Sequence, residues 1–428
     1  MAGSQHRISV VGTGYVGLTT GACLARLGHR VTCVDIDAEK IASIEAGRMP
    51  IYEEGLAEIV QSGQLSGRLT FTTDLIGSVK GAGFVFLCLP TPADEDGFAD
   101  LTAIRKVAQE LRGNLDPGCI LVNKSTVPVK SARMISELLG NDDIDVVSNP
   151  EFLREGSAVQ DFLNPDRIVV GADSPIAGEK VGALYLGARC PVLVTDPVSA
   201  ESIKYMANAF LAMKISFVNQ AAEFCDAVGA NVIEVMKGLG FDPRIGSTFL
   251  SPGPGWGGSC FPKDTRALVA SARAVDRPMT MIEEAIRSNE IHIDRTAALI
   301  LDAARQTGKS CPKIGVLGLT FKSNTDDTRE SPALAVIRRL IDHSVELVAF
   351  DPLAATVSID GMSRVMSIDD ALREADVAAI LTEWPEFSEL KPHDFSGLMH
   401  GKTIVDARYL LDPESFANAG FRVISIGR

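Results

Sequence analysis

A thiol, an ammonium and a carboxylate fall within five residues at Cys260, Lys263 and Asp264. They close the stretch Pro252 to Asp264, which holds four glycines and three prolines in thirteen residues. That composition suits neither a helix interior nor a central strand, so a loop is expected. With so few bulky side chains, a ligand can lie against its backbone. The ordinary alternative is a surface turn with a small buried cysteine. Upstream, Lys204 and Asn208 stand four residues apart. On a helix both would project from one face, although a solvated lysine beside an incidental asparagine is the common case.

The elements that would position these groups begin near the N-terminus. Arg7–Val11 is a run of β-formers leading into Gly12-Thr-Gly14-Tyr15-Val16-Gly17, and Leu18–Leu27 then has helical apolar spacing and ends at Gly28. The next strand, Arg30–Val34, closes on Asp35, 18 residues after Gly17. Strand, G-x-G-x-x-G, helix, strand and acid make a dinucleotide fingerprint in its proper context. Gly12 permits the turn, Gly14 lets backbone approach a diphosphate, and Gly17 lets helix and strand pack closely. The Asp35 carboxylate would accept from ribose hydroxyls and repel a 2′-phosphate, which favours NAD over NADP.

Further strands are expected at Leu69–Thr72, Phe84–Leu89, Ile120–Asn123, Asp145–Ser148, Ile168–Gly171 and Val192–Thr195. Their alternation with helical patterns points to a doubly wound parallel sheet. Three strand ends in succession carry polar residues: Thr91, the run Lys124-Ser-Thr126, and Asn149-Pro-Glu151. Such edges are where these sheets bind ligands. From Ser199 to Val228 the pattern is helical and free of Gly and Pro. Shorter helices are expected at Asn231–Leu239, Thr265–Ala274 and Met279–Ala304. A second α/β unit begins with a strand at Lys313–Phe321, after a boundary near residues 308–312. The expected architecture is two Rossmann-like doubly wound domains, residues 1–198 and 309–428, joined by a long central helix and a helical middle domain, 199–308.

A formal net charge of −14 disfavours nucleic acid or an anionic membrane as partner. The eight cysteines show no CxxC pair and no metal-ligand spacing with histidine, so no metal is expected and most read as core residues of a reducing compartment. No apolar run reaches the ~18 residues of a spanning helix. A cytoplasmic protein is expected.

Oxidation of an alcohol by NAD needs a group to take the hydroxyl proton. None of the six histidines falls inside a candidate motif, which leaves Lys204, Asn208, Asp264 and Glu151. Cys260 suggests more than one oxidation. A thiolate adds to an aldehyde as a thiohemiacetal, a second hydride loss gives a thioester, and water releases an acid.

Gly257–Asp264, Asn149–Gly156 and Asn324–Arg329, together with the Gly12–Gly17 start, resemble the nucleotide-sugar 6-dehydrogenases of the UDP-glucose/GDP-mannose dehydrogenase family, across essentially the whole chain. Phe241–Gly246 and Thr382–Phe387 lean toward the UDP-glucose branch, which implies oxidation of UDP-glucose to UDP-glucuronate with two NAD. The resemblance assigns Cys260 as nucleophile, and Lys204 with Asn208 as the groups that handle oxygen at the sugar C6. Asp264 would help to activate water, with Thr126 and Glu151 assisting hydrolysis. It places Gly14, Tyr15, Val16, Asp35, Lys40, Thr91, Thr126, Lys263 and Arg329 along NAD. For the nucleotide sugar it implies Glu151, Phe152, Leu153, Arg154, Glu155, Phe249, Leu250, Ser251, Pro252, Gly253, Gly257 and Lys322. Arg244 resembles an arginine that reaches a neighbouring subunit's substrate, and a homodimer is implied. Trp256 stands where a phenylalanine is usual.

Other readings stay open at this level. A relative acting on GDP-mannose or a UDP-N-acetylhexosamine would share these motifs. A β-hydroxyacid dehydrogenase also spaces Lys and Asn four apart but has no use for Cys260. A non-catalytic NAD-binding protein would not need Lys204, Asn208, Cys260 and Asp264 together.

Overall fold

The computed structural model describes residues 5–185 and 190–427. Within it the chain separates into two compact units, Met1–Ala207 with Arg266–Val275, and Asn208–Thr265 with Asp276–Arg428. The helix Pro197–Val228 supplies residues to both.

The first unit carries strands β1 (Arg7–Val11), β2 (Arg30–Val34), β3 (Leu69–Thr72), β4 (Phe84–Leu87), β5 (Ile120–Asn123), β6 (Asp145–Ser148), β7 (Ile168–Gly171) and β8 (Val192–Thr195). They form one sheet in the order β3-β2-β1-β4-β5-β6-β7-β8. Residue alternation explains why it is covered on both faces. Ile8, Val10, Phe84, Phe86, Ile120 and Val122 enter one apolar cluster. Val11, Val85, Leu87 and Leu121 enter the other. Phe86 is fully buried at the centre, where its removal from water contributes about 2–3 kcal/mol. The sheet is parallel from β3 to β6, but β7 meets β6 antiparallel at Ser148 and Gly171, and β8 runs parallel to β7. The expected run of parallel strands therefore ends at β6.

The second unit holds β9 (Lys313–Leu317), β10 (Glu346–Phe350), β11 (Met362–Arg364), β12 (Val377–Ile380), β13 (Thr403–Asp406) and β14 (Arg422–Ile424), ordered β11-β10-β9-β12-β13-β14 and parallel throughout. Alternation again sorts side chains, with Ile314, Val316 and Val405 on one face and Leu317, Ile380 and Ile404 on the other.

Several helix starts fall earlier than the spacing predicts, because capping rather than apolar period decides them. The Tyr15–Arg26 helix opens directly on Gly14. Asp196 accepts from Ser199 N at 2.9 Å, so the long helix opens at Pro197, a residue suited to a first turn. The helix expected from Thr265 begins at Phe261, with Pro262 in its first turn and Asp264 N donating to Cys260 O at 2.9 Å. β9 is shorter than expected. Gly318, at φ +102°, turns the chain where a Cβ would collide with Thr382.

Candidate active site

The fingerprint of the first unit has the geometry of a diphosphate cradle. Gly12 sits at φ +97°, and a Cβ there would strike the Cys88 carbonyl. A Cβ on Gly17 would strike Gly12 O. Gly14 differs: nothing lies within 4 Å of where its Cβ would be. The protein's own packing does not require that glycine, whereas a diphosphate approaching the unpaired N–H groups of the Tyr15–Arg26 helix does. That helix has no side-chain cap and no acid in its first turn, so its positive end is not neutralised. At the end of β2, Asp35 Oδ2 accepts from Thr13 N (2.9 Å), Thr13 Oγ1 (2.7 Å) and Lys40 Nζ (2.8 Å). Among the described residues Oδ1 takes only Asp37 N, at 3.1 Å, leaving a lone pair for a hydroxyl. Burial raises the Asp35 carboxyl, but these donors outweigh it and hold it at about 2. The residues present fit a dinucleotide.

Tyr15, inside the fingerprint, turns its hydroxyl onto the Glu53 carboxylate and accepts from Gly156 N at 3.0 Å. Glu53 also accepts from Gly156 N at 2.8 Å. The fingerprint is thereby tied to the Phe152–Glu155 segment. Val16 packs on the core. Thr91 Oγ1 donates to Thr126 O at 2.8 Å, joining the strand ends of β4 and β5.

Beyond β6, Glu151 and Lys204 form a buried ion pair at 2.8 Å, with side-chain exposures of only 6% and 5%. The other Glu151 oxygen accepts from Leu153 N at 2.7 Å. Burial raises the Glu151 carboxyl, yet the Lys204 charge and its hydrogen bond, with Leu153 N and Lys124, hold it below the ordinary range. The Lys204 ammonium also lies 5.3 Å over the Phe152 ring, whose own face is stacked by Arg167 at 3.7 Å. One turn earlier on the helix, Glu201 accepts from Lys130 N, Ala132 N and Ser148 Oγ at 2.6, 2.9 and 3.0 Å. It fixes Lys204 against β6 and the chain following Thr126. A small cleft opens beside the pair, lined by Lys124, Asn149, Glu151, Phe152, Arg167 and Tyr185. Arg154 is exposed and paired with Asp161 at 2.5 Å.

In the second unit, Asn208 Nδ2 donates to Asp264 Oδ2 at 2.6 Å, and Lys263 Nζ to Asp264 Oδ1 at 2.5 Å. Asp264 is buried, with side-chain exposure of 1%. Cys260 stands at the head of this same helix and is partly exposed. A helix N-terminus favours a negative charge there. In the first unit, burial pushes the thiols of Cys23, Cys88 and Cys119 up to about 12.

The loop from Pro252 to Gly258 is buried, not a surface turn. Gly253 N donates to Asn219 Oδ1 (3.0 Å), and Trp256 and Asn289 exchange two hydrogen bonds at 2.9 Å. Trp256 Nε1 donates to Ser216 Oγ at 2.8 Å, a bond that a phenylalanine would lack. Three of its glycines are required by packing. A Cβ on Gly255 would press on Ile293, one on Gly257 would strike Glu330 O, and one on Gly258 would meet the Phe321 ring at 2.7 Å. Close approach of protein to protein is thus reason enough for glycine at these three positions.

Of the remaining expected residues, Phe249 has φ +60° and is exposed, Leu250 is buried and Ser251 is exposed. Lys322 Nζ lies 5.6 Å over the Phe321 ring. Arg244 is exposed and bonded to Asp242, and Arg329 makes the same kind of bidentate contact with Asp327. Arg329 and Lys263 fall in the second unit, while the other cofactor candidates fall in the first. Sequence reading passed over Glu53, Glu201, Asn219, Asn289 and His292, because each lies on an unremarkable helix or loop and acquires its role from a long-range contact. The only advance signal was Trp256.

Three segments match the three domains of one family. Residues 6–188 match the NAD binding domain of the UDP-glucose/GDP-mannose dehydrogenase family, 198–291 its central domain and 315–413 its UDP binding domain. The chain is 43% identical to the UDP-glucose 6-dehydrogenase of Rhizobium meliloti (strain 1021), over 99% of both chains. It is 41% identical to UDP-glucose 6-dehydrogenase TuaD of Bacillus subtilis (strain 168), covering 99% of this chain and 94% of that protein. Among solved structures, a UDP-glucose dehydrogenase from Pyrobaculum islandicum superposes with a TM-score of 0.89 at 35% identity, covering 99% of this chain and 98% of that one. A UDP-D-ManNAc dehydrogenase from Pyrococcus horikoshii gives 0.87 at 28% identity, over 99% of each. With the cradle around Gly14 and Asp35 in its first unit, the chain belongs to the UDP-glucose/GDP-mannose dehydrogenase family, whose members are NAD-dependent enzymes.

Proposed function

We propose that this enzyme oxidises UDP-glucose to UDP-glucuronate in two steps through a covalent intermediate on Cys260. The observation that carries the reading is a one-turn spacing on the Pro197–Val228 helix. Lys204 is held by Glu151, and Asn208 is held by Asp264, whose own helix opens on Cys260. The high identity to UDP-glucose 6-dehydrogenases of two bacteria supports the choice of sugar.

NAD, when bound, accepts the hydride of each oxidation, two for every alcohol carried to an acid. The chain's residues do the rest. Lys204 and Asn208 hold the C6 oxygen, and Lys204 steadies the alkoxide as the hydroxyl proton passes to water; loss of one C6 hydrogen as hydride then leaves the aldehyde. The Cys260 thiolate then adds to the aldehyde carbon. The C–S bond forms, the carbonyl π electrons move to oxygen, and that oxygen takes a proton to give a thiohemiacetal. Loss of the C–H hydrogen as hydride and of the O–H proton leaves a thioester. Water, oriented by Asp264 with Glu151 and Thr126, adds to the thioester carbon, the C–S bond breaks, and the thiolate is restored. Because Lys204 keeps Glu151 ionised, Glu151 serves as a fixed negative partner for the ammonium and as an acceptor for the water.

Tyr15, Val16, Asp35, Lys40, Thr91, Thr126, Lys263 and Arg329, with the fingerprint glycines, are assigned to NAD; Lys322, Glu151, the Phe152–Glu155 segment, Phe249–Gly253 and Gly257 are assigned to the nucleotide sugar. The assembly is read as a homodimer. Met206, Phe210, Phe217, Phe224 and Val228 lie on one face of the long helix and are all exposed, the three phenylalanines more than half. A contiguous apolar stripe of this kind marks an interface, and Arg244 would reach the partner's substrate.

A panel of UDP-glucose, GDP-mannose and N-acetylated UDP-sugars, read by NADH absorbance and product mass, tests the reading. It predicts two NADH per UDP-glucose and accumulation of UDP-glucuronate. Preference for another sugar nucleotide overturns the substrate assignment, and one NADH per substrate overturns the two-step scheme.

A further inference from the structure

On the helix Thr280–Arg305, His292 is buried and grips the loop that ends in Cys260. Its Nε2 lies 2.8 Å from the Gly253 carbonyl oxygen and its Nδ1 lies 2.9 Å from Glu223 Oε1. Both partners are acceptors. A neutral imidazole carries one N–H and can satisfy only one of them, while the lone pair on its other nitrogen would face the remaining oxygen. We propose that one titratable proton is held between His292 Nδ1 and Glu223 Oε1, making His292 a positioning residue that clamps the Gly253 carbonyl and so fixes the loop leading to Cys260.

The neighbouring charges set how firmly that proton is held. Arg295, from the same helix, pairs with the other Glu223 oxygen and keeps that carboxylate in place. Arg408 borders the other side, its guanidinium 3.0 Å from the position a Cβ on Gly253 would take. The remaining Gly253 contact, with Asn219, is neutral. Burial is the larger influence and holds the imidazole below its ordinary value, with the bond to Gly253 O offsetting part of it, so the proton is lost on the acid side of the usual histidine range. The sign follows: with the proton present both nitrogens donate and the ring bridges Glu223 to Gly253 O, and as pH rises through the titration of the pair one of the two bonds is lost, a lone pair faces an oxygen, and the clamp loosens. Its bearing on catalysis rests on the role proposed for Cys260, but the clamp itself does not.

The test is amide hydrogen exchange of the full chain without substrates, from about pH 5 to about pH 9, corrected for intrinsic rates. In the wild type, protection of residues 253–260 should fall by about 5-fold or more on the alkaline side. His292→Gln carries two amide protons, one for each acceptor, and neither titrates; protection should persist and become independent of pH. Glu223→Gln donates to a neutral Nδ1 and should flatten the profile in the same way. His292→Leu should leave the loop unprotected at every pH. A wild-type profile without a step, or a step that survives in His292→Gln, overturns the proposal even if His292→Leu does not fold. None of these readouts depends on which sugar nucleotide is oxidised, so failure of the clamp and failure of the assigned reaction are separable.

Discussion

Over six parallel strands the two sheets share one order, β3-β2-β1-β4-β5-β6 and β11-β10-β9-β12-β13-β14, and there they differ at one turn. In both, the first strand ends in a glycine of positive φ, Gly12 at +97° and Gly318 at +102°, whose N–H donates to the residue closing the neighbouring strand. In both, an aspartate follows that strand, Asp35 or Asp351. Asp35 retains a lone pair, and its turn leads straight into a helix N-terminus. Asp351 is saturated. Its Oδ2 accepts from Leu319 N, Thr320 N, Thr320 Oγ1 and Trp384 Nε1, and its Oδ1 from Leu353 N and Ala354 N. The next helix of the second unit does not begin until Pro332. A strand order suited to dinucleotides is thus insufficient. The site needs a helix end at the turn and an acid with capacity to spare.

The contrast breaks most visibly at Asp351. Asp351→Ala leaves several buried donors unpaired and should cost on the order of 3–5 kcal/mol, seen as a lower denaturant midpoint by tryptophan fluorescence. Both tryptophans, Trp256 and Trp384, belong to this unit. Gly12→Ala should cost about 2–4 kcal/mol, from positive φ and the collision with Cys88 O, measured by thermal unfolding. Asp35→Ala should weaken NAD binding by about 10- to 100-fold by titration calorimetry and narrow the preference over NADP. Equal stability losses at Asp35 and Asp351 would erase the distinction. Gly14→Ala is subtler: unfolding should move by no more than about 0.5 kcal/mol while NAD affinity falls. The smallest effect concerns pH. Asp35, held at about 2 against an ordinary 3.8, stabilises the fold fully above its unfolded value and loses that contribution only as pH falls through about 2. NAD affinity should therefore be flat from about pH 7 to about pH 4; a drop there would place the ribose acceptor elsewhere.

Much of this was legible in residue order. Alternation between apolar faces predicts the strands, and the Gly12–Gly17 run with Asp35 predicts the cradle. Lys204 and Asn208 fall on one helix as their spacing requires. The sequence could not reveal that Lys204 would be locked to Glu151, since 53 residues separate them. Nor could it separate glycines that serve packing from a glycine that serves a ligand. Gly257 and Gly14 read alike in a string, yet a Cβ collides at one and meets open space at the other. The start at Pro197 escapes the apolar period because Asp196 caps it, and the start at Phe261 because Pro262, a breaker inside a helix, is accepted in a first turn.

The central claim is the covalent one, and Cys260→Ser tests it most directly. With UDP-glucose and excess NAD, the variant should keep its fold and its NAD affinity while formation of UDP-glucuronate falls by about 10³-fold or more. Formation of the acid at the wild-type rate, with two NADH per sugar, would contradict the account.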